Sequence, residues 1–463
     1  MEEKTGLIYG VKDRPSVGKT LVFALQQMLA ILAATIAVPA IVGNGMSQSA
    51  ALFGAGVGTI VYLLLTRFKS PVFLGSSFAF LGSMAAAFGG AVAGTTLGYF
   101  GLILGAVFAG LVYVILALVV KFAGTKWISK IMPPVVIGPT VAIIGLSLAK
   151  NAIGDLQTGS YAVGGVPTAN TFIALLCGLV TLFTVVICSV YGKKFMKMIP
   201  FIIGILAGYA VAAIFTGIGY AAGNDALKVI DFTKFAAMEW VPNFTFIKAF
   251  SGSTWENFSW GYVGTIAVAY IPVAFVVFAE HIADHKNLST VIGSDLLKEP
   301  GLDKTLLGDG LGSIAGAFFG GCPNTTYGES VGCVAISKNA SVITILTTAI
   351  LCIVASFVGP FVTFLATIPS CVMGGVCITL YGFIAVSGLK MIQGVDLSDN
   401  GNLFTVSVIL IAGVGGLVIS FNEVGITITA VACALILGIL VHLVSSFKKK
   451  EPVTEEQTTS EQE

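Results

Sequence analysis

Apolar residues run in long blocks separated by short polar stretches from about residue 20 to residue 446. A helix that crosses a hydrocarbon core of roughly 30 Å needs about 20 such residues. Clear blocks fall at 20–43, 48–66, 97–121, 133–149, 171–191, 201–222, 263–281, 341–364, 370–392, 402–420 and 425–446. Two further stretches, 71–92 and 307–337, are apolar but broken by Gly, Ser, Thr and Pro. We read the first as one discontinuous span and the second as two, 307–321 and 322–337, which makes about fourteen spans in all. The pattern predicts an all-α polytopic membrane protein that leaves helical geometry at its interruptions.

The interruptions recur. Gly54-Ala55-Gly56-Val57-Gly58-Thr59-Ile60 reads like Gly308-Asp309-Gly310-Leu311-Gly312-Ser313-Ile314, and each is followed by a polar triplet, Ser76-Ser77-Phe78 and Thr325-Thr326-Tyr327. Pro133 with Val136-Ile137-Gly138 likewise matches Pro369 with Val372-Met373-Gly374. Ordered matches imply two homologous halves. About seven spans separate corresponding positions, an odd number, so the halves lie upside down relative to each other, as in secondary transporters built from inverted repeats. The expected division is a segment 1–19, a first repeat over 20–222, a loop over 223–262, a second repeat over 263–446 and a tail over 447–463.

Composition agrees with the pattern. Of 463 residues, 56% are hydrophobic and 10% charged, against roughly 25% charged in soluble domains. The net charge of +1 gives no reason to expect nucleic acid. Cytoplasmic loops should carry the Lys and Arg excess, and alternate loops do: Arg67 with Lys69, Lys126 with Lys130, Lys193 with Lys194 and Lys197, and Lys448 to Lys450 after the last span. The opposite loops near 93–96 and 365–369 carry no charge, and 223–262 mixes Asp225, Asp231, Glu239 and Glu256 with Lys228, Lys234 and Lys248. Trp240, Trp255 and Trp260 suit an interfacial belt on that side. Both termini are therefore expected in the cytoplasm, and the protein in the cell (inner) membrane. Residues 1–19 lack the apolar stretch and cleavage site of a signal peptide, and the tail 451–463 has the composition of a disordered segment. The eight cysteines fall in apolar segments without metal-ligand spacing.

Gly75 and Pro323 continue helices poorly, and the residues after them, Ser76 to Phe80 and Asn324 to Gly328, are β-prone. The segments 75–80 and 323–328 are expected to pair as short antiparallel strands near the bilayer centre, because extended backbone there needs partners inside the protein. The amides of Phe78 and Gly328 would face a solute, with helix N-termini just beyond. Ionisable residues in spans are costly and mark function by default. Glu280, His281, Asp284 and His285 end an apolar run, and Glu329 lies between Gly328 and Ser330. Glu280 is expected inside the membrane, and Asp284 at its surface, where Lys286 and Asn287 follow. A carboxylate desolvated at Glu280 or Glu329 can hold a proton at neutral pH.

At these residues a resemblance becomes specific. Gly75-Ser76-Ser77-Phe78-Ala79-Phe80, Ala279-Glu280-His281 with His285, and Asn324-Thr325-Thr326-Tyr327-Gly328-Glu329 resemble signature segments of the uracil permeases, within the nucleobase/ascorbate transporter (nucleobase:cation symporter-2) family. The likeness runs from Arg14-Pro15 to the last span. It implies core and gate domains, a homodimer and proton-coupled nucleobase uptake. Carried over by position, Glu280, Glu329, Phe78, Gly328, Ser77 and Tyr327 would bind the base, and Glu280, His281 and His285 would couple the proton. The purine-type branch differs at Thr325 to Glu329, which favours a pyrimidine over xanthine or urate. Two departures stand out. Gln26-Gln27 occupies a position often Gln-His, and Asp284 one often taken by a small residue.

The ligand chemistry agrees on its own terms. Uracil offers two N–H donors and two carbonyl acceptors around a flat ring, so a matching site needs carboxylates, free backbone donors and an aromatic face. Thymine adds one methyl, worth only about 1–3 kcal/mol of rejection unless it clashes. Helix N-termini at a midplane site would also suit an anion, but two carboxylates would repel it. With no phosphate loop, metal motif or Ser/His/Asp set, an enzyme is not expected, and no cofactor is needed beyond the coupling ion. That ion is read as H+. Na+ is the alternative, with Thr325, Thr326 and nearby carbonyls as ligands.

Overall fold

The computed structural model describes residues 6–89, 95–125, 127, 133–251, 258–421 and 426–447. Expectations for Lys126, Lys130, Trp255, Glu256, Lys448 to Lys450, residues 93 and 94 and the tail 451–463 lie outside the described residues. The chain is mostly helical: α1 (Val17–Val42), α2 (Gln48–Leu65), α3 (Leu81–Phe88), α4 (Thr95–Ala123), α5 (Pro134–Ser147), α6 (Thr171–Tyr191), α7 (Pro200–Ala222), α8 (Trp260–Ile292), α9 (Leu302–Gly320), α10 (Gly328–Ser337), α11 (Val342–Ala355), α12 (Gly359–Thr367), α13 (Ser370–Met391), α14 (Asn400–Val414) and α15 (Ala430–Phe447). Among the described residues, 8 helices are long and apolar enough to cross a membrane, or 9 if the bent pair α11 and α12 forms one span. Strand β1 (Leu74–Ser76) precedes α3 and β2 (Asn324–Thr326) precedes α10, while β3 (Ile419–Phe421) and β4 (Ile426–Ile428) form a hairpin between α14 and α15.

The stretch 341–364 does not form the continuous span that its hydropathy predicts. It breaks into α11 and α12 at an angle of 85°, because Pro360 in the first turn of α12 has no N–H for a continuing ladder. Helix α8 runs past the apolar block to Ile292, about 50 Å at 1.5 Å per residue. Glu280 to His285 therefore sit within a helix that keeps one side buried through Leu288 and Ile292, and Asp284 is a buried residue, 8% exposed, not a surface one.

Packing sorts the helices into two sets. One gathers α1, α2, α3, α4, α8, α9, α10 and α11 with the β1–β2 pair; the other gathers α5, α6, α7, α13, α14 and α15. The seam of the first set is α2 against α9. A Cβ on Gly58 would stand 2.7 Å from the Gly312 carbonyl oxygen and 2.5 Å from Asn324 Nδ2, and one on Gly312 would stand 2.8 Å from the Gly58 carbonyl oxygen. Only hydrogen at both positions lets the backbones come this close. The eight cysteines are buried and unbridged, as packing residues.

The end loops agree on two faces. Lys69 Nζ meets Glu299 Oε1 at 2.6 Å, and residues 8–11 bond the turn at 338–342 through Ile8 N–H to the Lys338 carbonyl and Ala340 N–H to the Tyr9 carbonyl. At the other end Lys248 Nζ donates to the Gly45 carbonyl, and Lys234 Nζ to that of Ala366.

Gly58→Ala is expected to cost about 1–3 kcal/mol by forcing α2 and α9 apart. Gly217→Ala, where a Cβ meets nothing within 4 Å, serves as the control and should leave stability unchanged or raised. Thermal unfolding of the purified variants in detergent measures both, and equal melting temperatures would remove the seam from the account.

Candidate solute site

Two half-helices converge on the paired strands. In β1–β2 the register is Leu74 with Thr326, Gly75 with Thr325 and Ser76 with Asn324, antiparallel as expected. The strands are shorter than 75–80 and 323–328. Phe78–Phe80 is already a 3-10 turn and Gly328 opens α10, since free N–H groups favour helix as soon as the ladder ends. Gly75 is needed for close approach: a Cβ there would lie 2.3 Å from the Tyr327 ring. As first residues of helical turns, Phe78 and Gly328 have N–H groups without intrahelical acceptors. Both half-helices thus turn their partial positive ends to the same place.

That place is a cavity of ≈ 50 Å³, room for a few water molecules. Ser77, Phe78, Glu280, Tyr327, Gly328 and Glu329 all line it, with Thr325 and Thr326 beside them. All six residues expected to bind a solute therefore meet at one cavity. Gly328 is exposed to it, and Glu280 and Glu329 are partly buried. Ring planes of Phe78 and Tyr381 meet edge to face at 5.8 Å. The opposite wall is apolar and comes from the second helix set: Ile144 of α5, and Leu380 and Ile384 of α13.

His281 and His285 are not part of that lining. They lie behind it, fully buried, with rings stacked 4.0 Å apart. His281 Nδ1 is 2.7 Å from Asp309 Oδ2 and Nε2 is 3.0 Å from Thr305 Oγ1. His285 Nδ1 donates to the His281 carbonyl at 2.8 Å, which leaves Nε2 to meet the Tyr62 hydroxyl at 2.7 Å. Tyr62 in turn donates to Ser70 at 2.7 Å. Asp284 Oδ2 accepts from Thr326 Oγ1 at 2.8 Å, which ties α8 to the strand pair. Gln27, at the position often His, donates from Nε2 to Ser330 Oγ at 2.6 Å, and the same oxygen accepts from the Phe73 N–H at 3.1 Å.

Asp309 and Thr305 escaped the sequence reading as members of this cluster. A carboxylate between Gly308 and Gly310 in an apolar segment was the available signal. Ile144, Leu380 and Ile384 carried none, being apolar residues in apolar helices.

The chain matches the model of the Permease family (Xan_ur_permease) over residues 18–421. It is 37% identical to the uracil permease of Bacillus caldolyticus over 443 residues, covering 94% of each chain. The uracil permease of Escherichia coli (strain K12) is 33% identical, with 94% of this chain and 93% of that protein covered. Among solved structures, the transmembrane domain of a cyanobacterial bicarbonate transporter, BicA, superposes with TM-score 0.59 at 16% identity, over 92% of this chain and 96% of that one. A murine Solute Carrier 26 family member A9 anion transporter in the inward-facing state superposes with TM-score 0.64 at 12% identity, over 95% and 70%. At such identities these two are likenesses of fold.

Ser330→Ala strands two buried donors, the Phe73 N–H and the Gln27 amide, whereas Gln27→Ala removes one donor and leaves Ser330 with Phe73. An orphaned buried donor costs about 1–3 kcal/mol. Chemical denaturation or melting curves should therefore rank Ser330→Ala clearly below Gln27→Ala, and the reverse order would contradict the assigned bonds.

Proposed function

The chain belongs to the Permease family, and from that premise we propose that it imports uracil by proton symport, with the base held between the two half-helices. The observation that carries the proposal is the meeting of two carboxylates, the residues of two first-turn amides and an aromatic ring at one cavity. Glu280 and Glu329 accept the N–H groups of the base. The amides of Phe78 and Gly328 donate to its carbonyls, while Ser77 and Tyr327 complete the wall. Relatives that carry the name uracil permease across nearly their whole length support this substrate. Two carboxylates facing the cavity count against an anion as cargo.

The same reading extends to architecture. About fourteen spans form two inverted repeats of about seven, over 20–222 and 263–446, joined by the loop 223–262. Reciprocal contacts support it. Gly54 faces Gly316 while Gly308, the counterpart of Gly54, faces Tyr62, the counterpart of Gly316; Gly138 faces Gly388 while its counterpart Gly374 faces Ala152. The first helix set acts as the core domain and the second as the gate. Both termini lie in the cytoplasm of a cell whose inner membrane holds the protein as a homodimer.

For coupling, Glu280 carries the proton, with His281 and His285 as its network. His281 suits this because the Thr305 hydroxyl, which also reaches the Leu302 carbonyl at 3.1 Å, can either accept from Nε2 or donate to it. The ring keeps partners on both nitrogens with one proton or two. Neutral uracil cannot be concentrated by the membrane potential, so accumulation needs such a coupled charge.

Glu280→Ala and Glu329→Ala should each abolish uracil binding by protein that still purifies as a folded species, while Glu280→Gln keeps an acceptor oxygen and binds without transporting. Near wild-type affinity in either alanine variant would take that residue out of the site. In proteoliposomes without sodium, an acid exterior should drive uracil uptake. Uptake that ignores the gradient and fails only when sodium is withdrawn would replace H+ with Na+ and leave Glu280 as a binding residue alone.

A further inference from the structure

The cavity is two-faced by origin. Its polar groups come from the first helix set: Ser77, Glu280, Thr325, Thr326 and Glu329. The second set contributes apolar side chains alone, Ile144 on α5 and Leu380 and Ile384 on α13, while Phe78 and Ala79 add apolar surface from the first. A pyrimidine bound as proposed above is two-faced as well. Atoms N1, C2, N3 and C4 carry all its donors and acceptors, and the C5–C6 edge carries only hydrogen. An N–H or carbonyl turned to Ile144 and Leu380, which are 3% and under 2% exposed, would lose its partners at a cost of roughly 1–3 kcal/mol. Only the C5–C6 edge meets that wall without loss.

We infer that Ile144, Leu380 and Ile384 read the C5–C6 edge of the bound base and thereby set which 5-substituted pyrimidines the carrier accepts. The inference rests on the proposed uracil reading and adds a determinant to it. Affinity for the ring comes from one helix set, and discrimination at C5 comes from the other. Ile384 is the position at which room for a C5 substituent is made most simply, by shortening its own side chain, since it lines the cavity, is only partly buried, and a smaller residue there leaves the packing of Leu380 in place.

The test is competition against labelled uracil in the full-length protein, with thymine and 2-thiouracil as competitors, for wild type, Ile384→Ala, Ile384→Val and Leu380→Ala. The readout is the ratio of half-inhibitory concentrations of each competitor to that of unlabelled uracil, which is independent of expression and of any change that weakens all ligands alike. One methyl group in an apolar pocket is worth about 10-fold or more. Ile384→Ala should lower the thymine ratio about 10-fold, Ile384→Val less, and neither should move the ratio for 2-thiouracil, which is altered on the polar edge. A thymine ratio unchanged in both Ile384→Ala and Leu380→Ala overturns the assignment, as does a 2-thiouracil ratio that moves with it. Wild-type protein that takes up no uracil saturably defeats the substrate reading and the assignment together, whereas saturable uptake with unmoved ratios defeats the assignment alone.

Discussion

Backbone that leaves the helix inside an apolar bundle must find a partner for every N–H and C=O, and the β1–β2 ladder with its surroundings does this group by group. Leu74 exchanges two bonds with the Thr59 hydroxyl, at 2.9 and 3.1 Å. The Phe73 N–H goes to Ser330 and its carbonyl accepts from the Tyr327 N–H. The Ser77 N–H reaches the Pro323 carbonyl, and the Ser76 carbonyl accepts from the Tyr327 hydroxyl. Asn324 ties the second strand to α2 through the Gly54 carbonyl at 3.0 Å. Each partner lies on α2, on α10 or on the residues that flank β2, so the ladder exists only if those elements come within bonding distance. The glycines between α2 and α9 permit it. Breaking the spans and packing them closely are one constraint seen from two sides.

What the broken spans gain is exposed backbone. An unbroken helix presents side chains alone, but two half-helices that begin at one cavity present first-turn amides that owe no bond to their own helix. Glu280 from α8 and Glu329 from the first turn of α10 add acceptors beside those donors. Donors and acceptors lining one small cavity are the kind of set that a nucleobase as proposed above would match. Because most of it is backbone and first-turn geometry, side-chain substitution can alter the acceptors without abolishing the donors.

The parts of this arrangement that break a local rule were legible in the sequence. Gly75 and Pro323 end helices by covalent geometry, glycines at matched positions in two segments show where helices must touch, and a carboxylate in an apolar run is rare enough to stand out. Asp284 misled because Lys286 and Asn287 follow it, and helix length beyond the apolar block depends on what α8 packs against, which no local pattern contains. The bend between α11 and α12 hid in an apolar run with a single proline. The link from His281 to Asp309 joins residues 28 positions apart on different helices, and Ile144, Leu380 and Ile384 share their composition with every neighbouring helix turn. In each of these cases tertiary proximity supplied the meaning.

The half-helix α10 is held at both ends. Its start is fixed by the ladder and by Ser330, which Gln27 of α1 and Phe73 both grip. Its far end runs into the turn that residues 8–11 clasp, with the Ser341 hydroxyl bonded to the Asp13 carbonyl at 2.6 Å. Helix α8 is joined to the same body through Asp284 to Thr326 and through His281 to Asp309. The polar half of the cavity is therefore mounted on elements that hydrogen-bond to one another, whereas the apolar half meets it through side-chain packing. Packing contacts between apolar surfaces can slide or part without orphaning a polar group, and hydrogen bonds in a dry interior cannot. A separation of the two halves of the cavity thus costs least along the apolar side, between Ile144, Leu380 and Ile384 and the hydrogen-bonded body that carries the carboxylates.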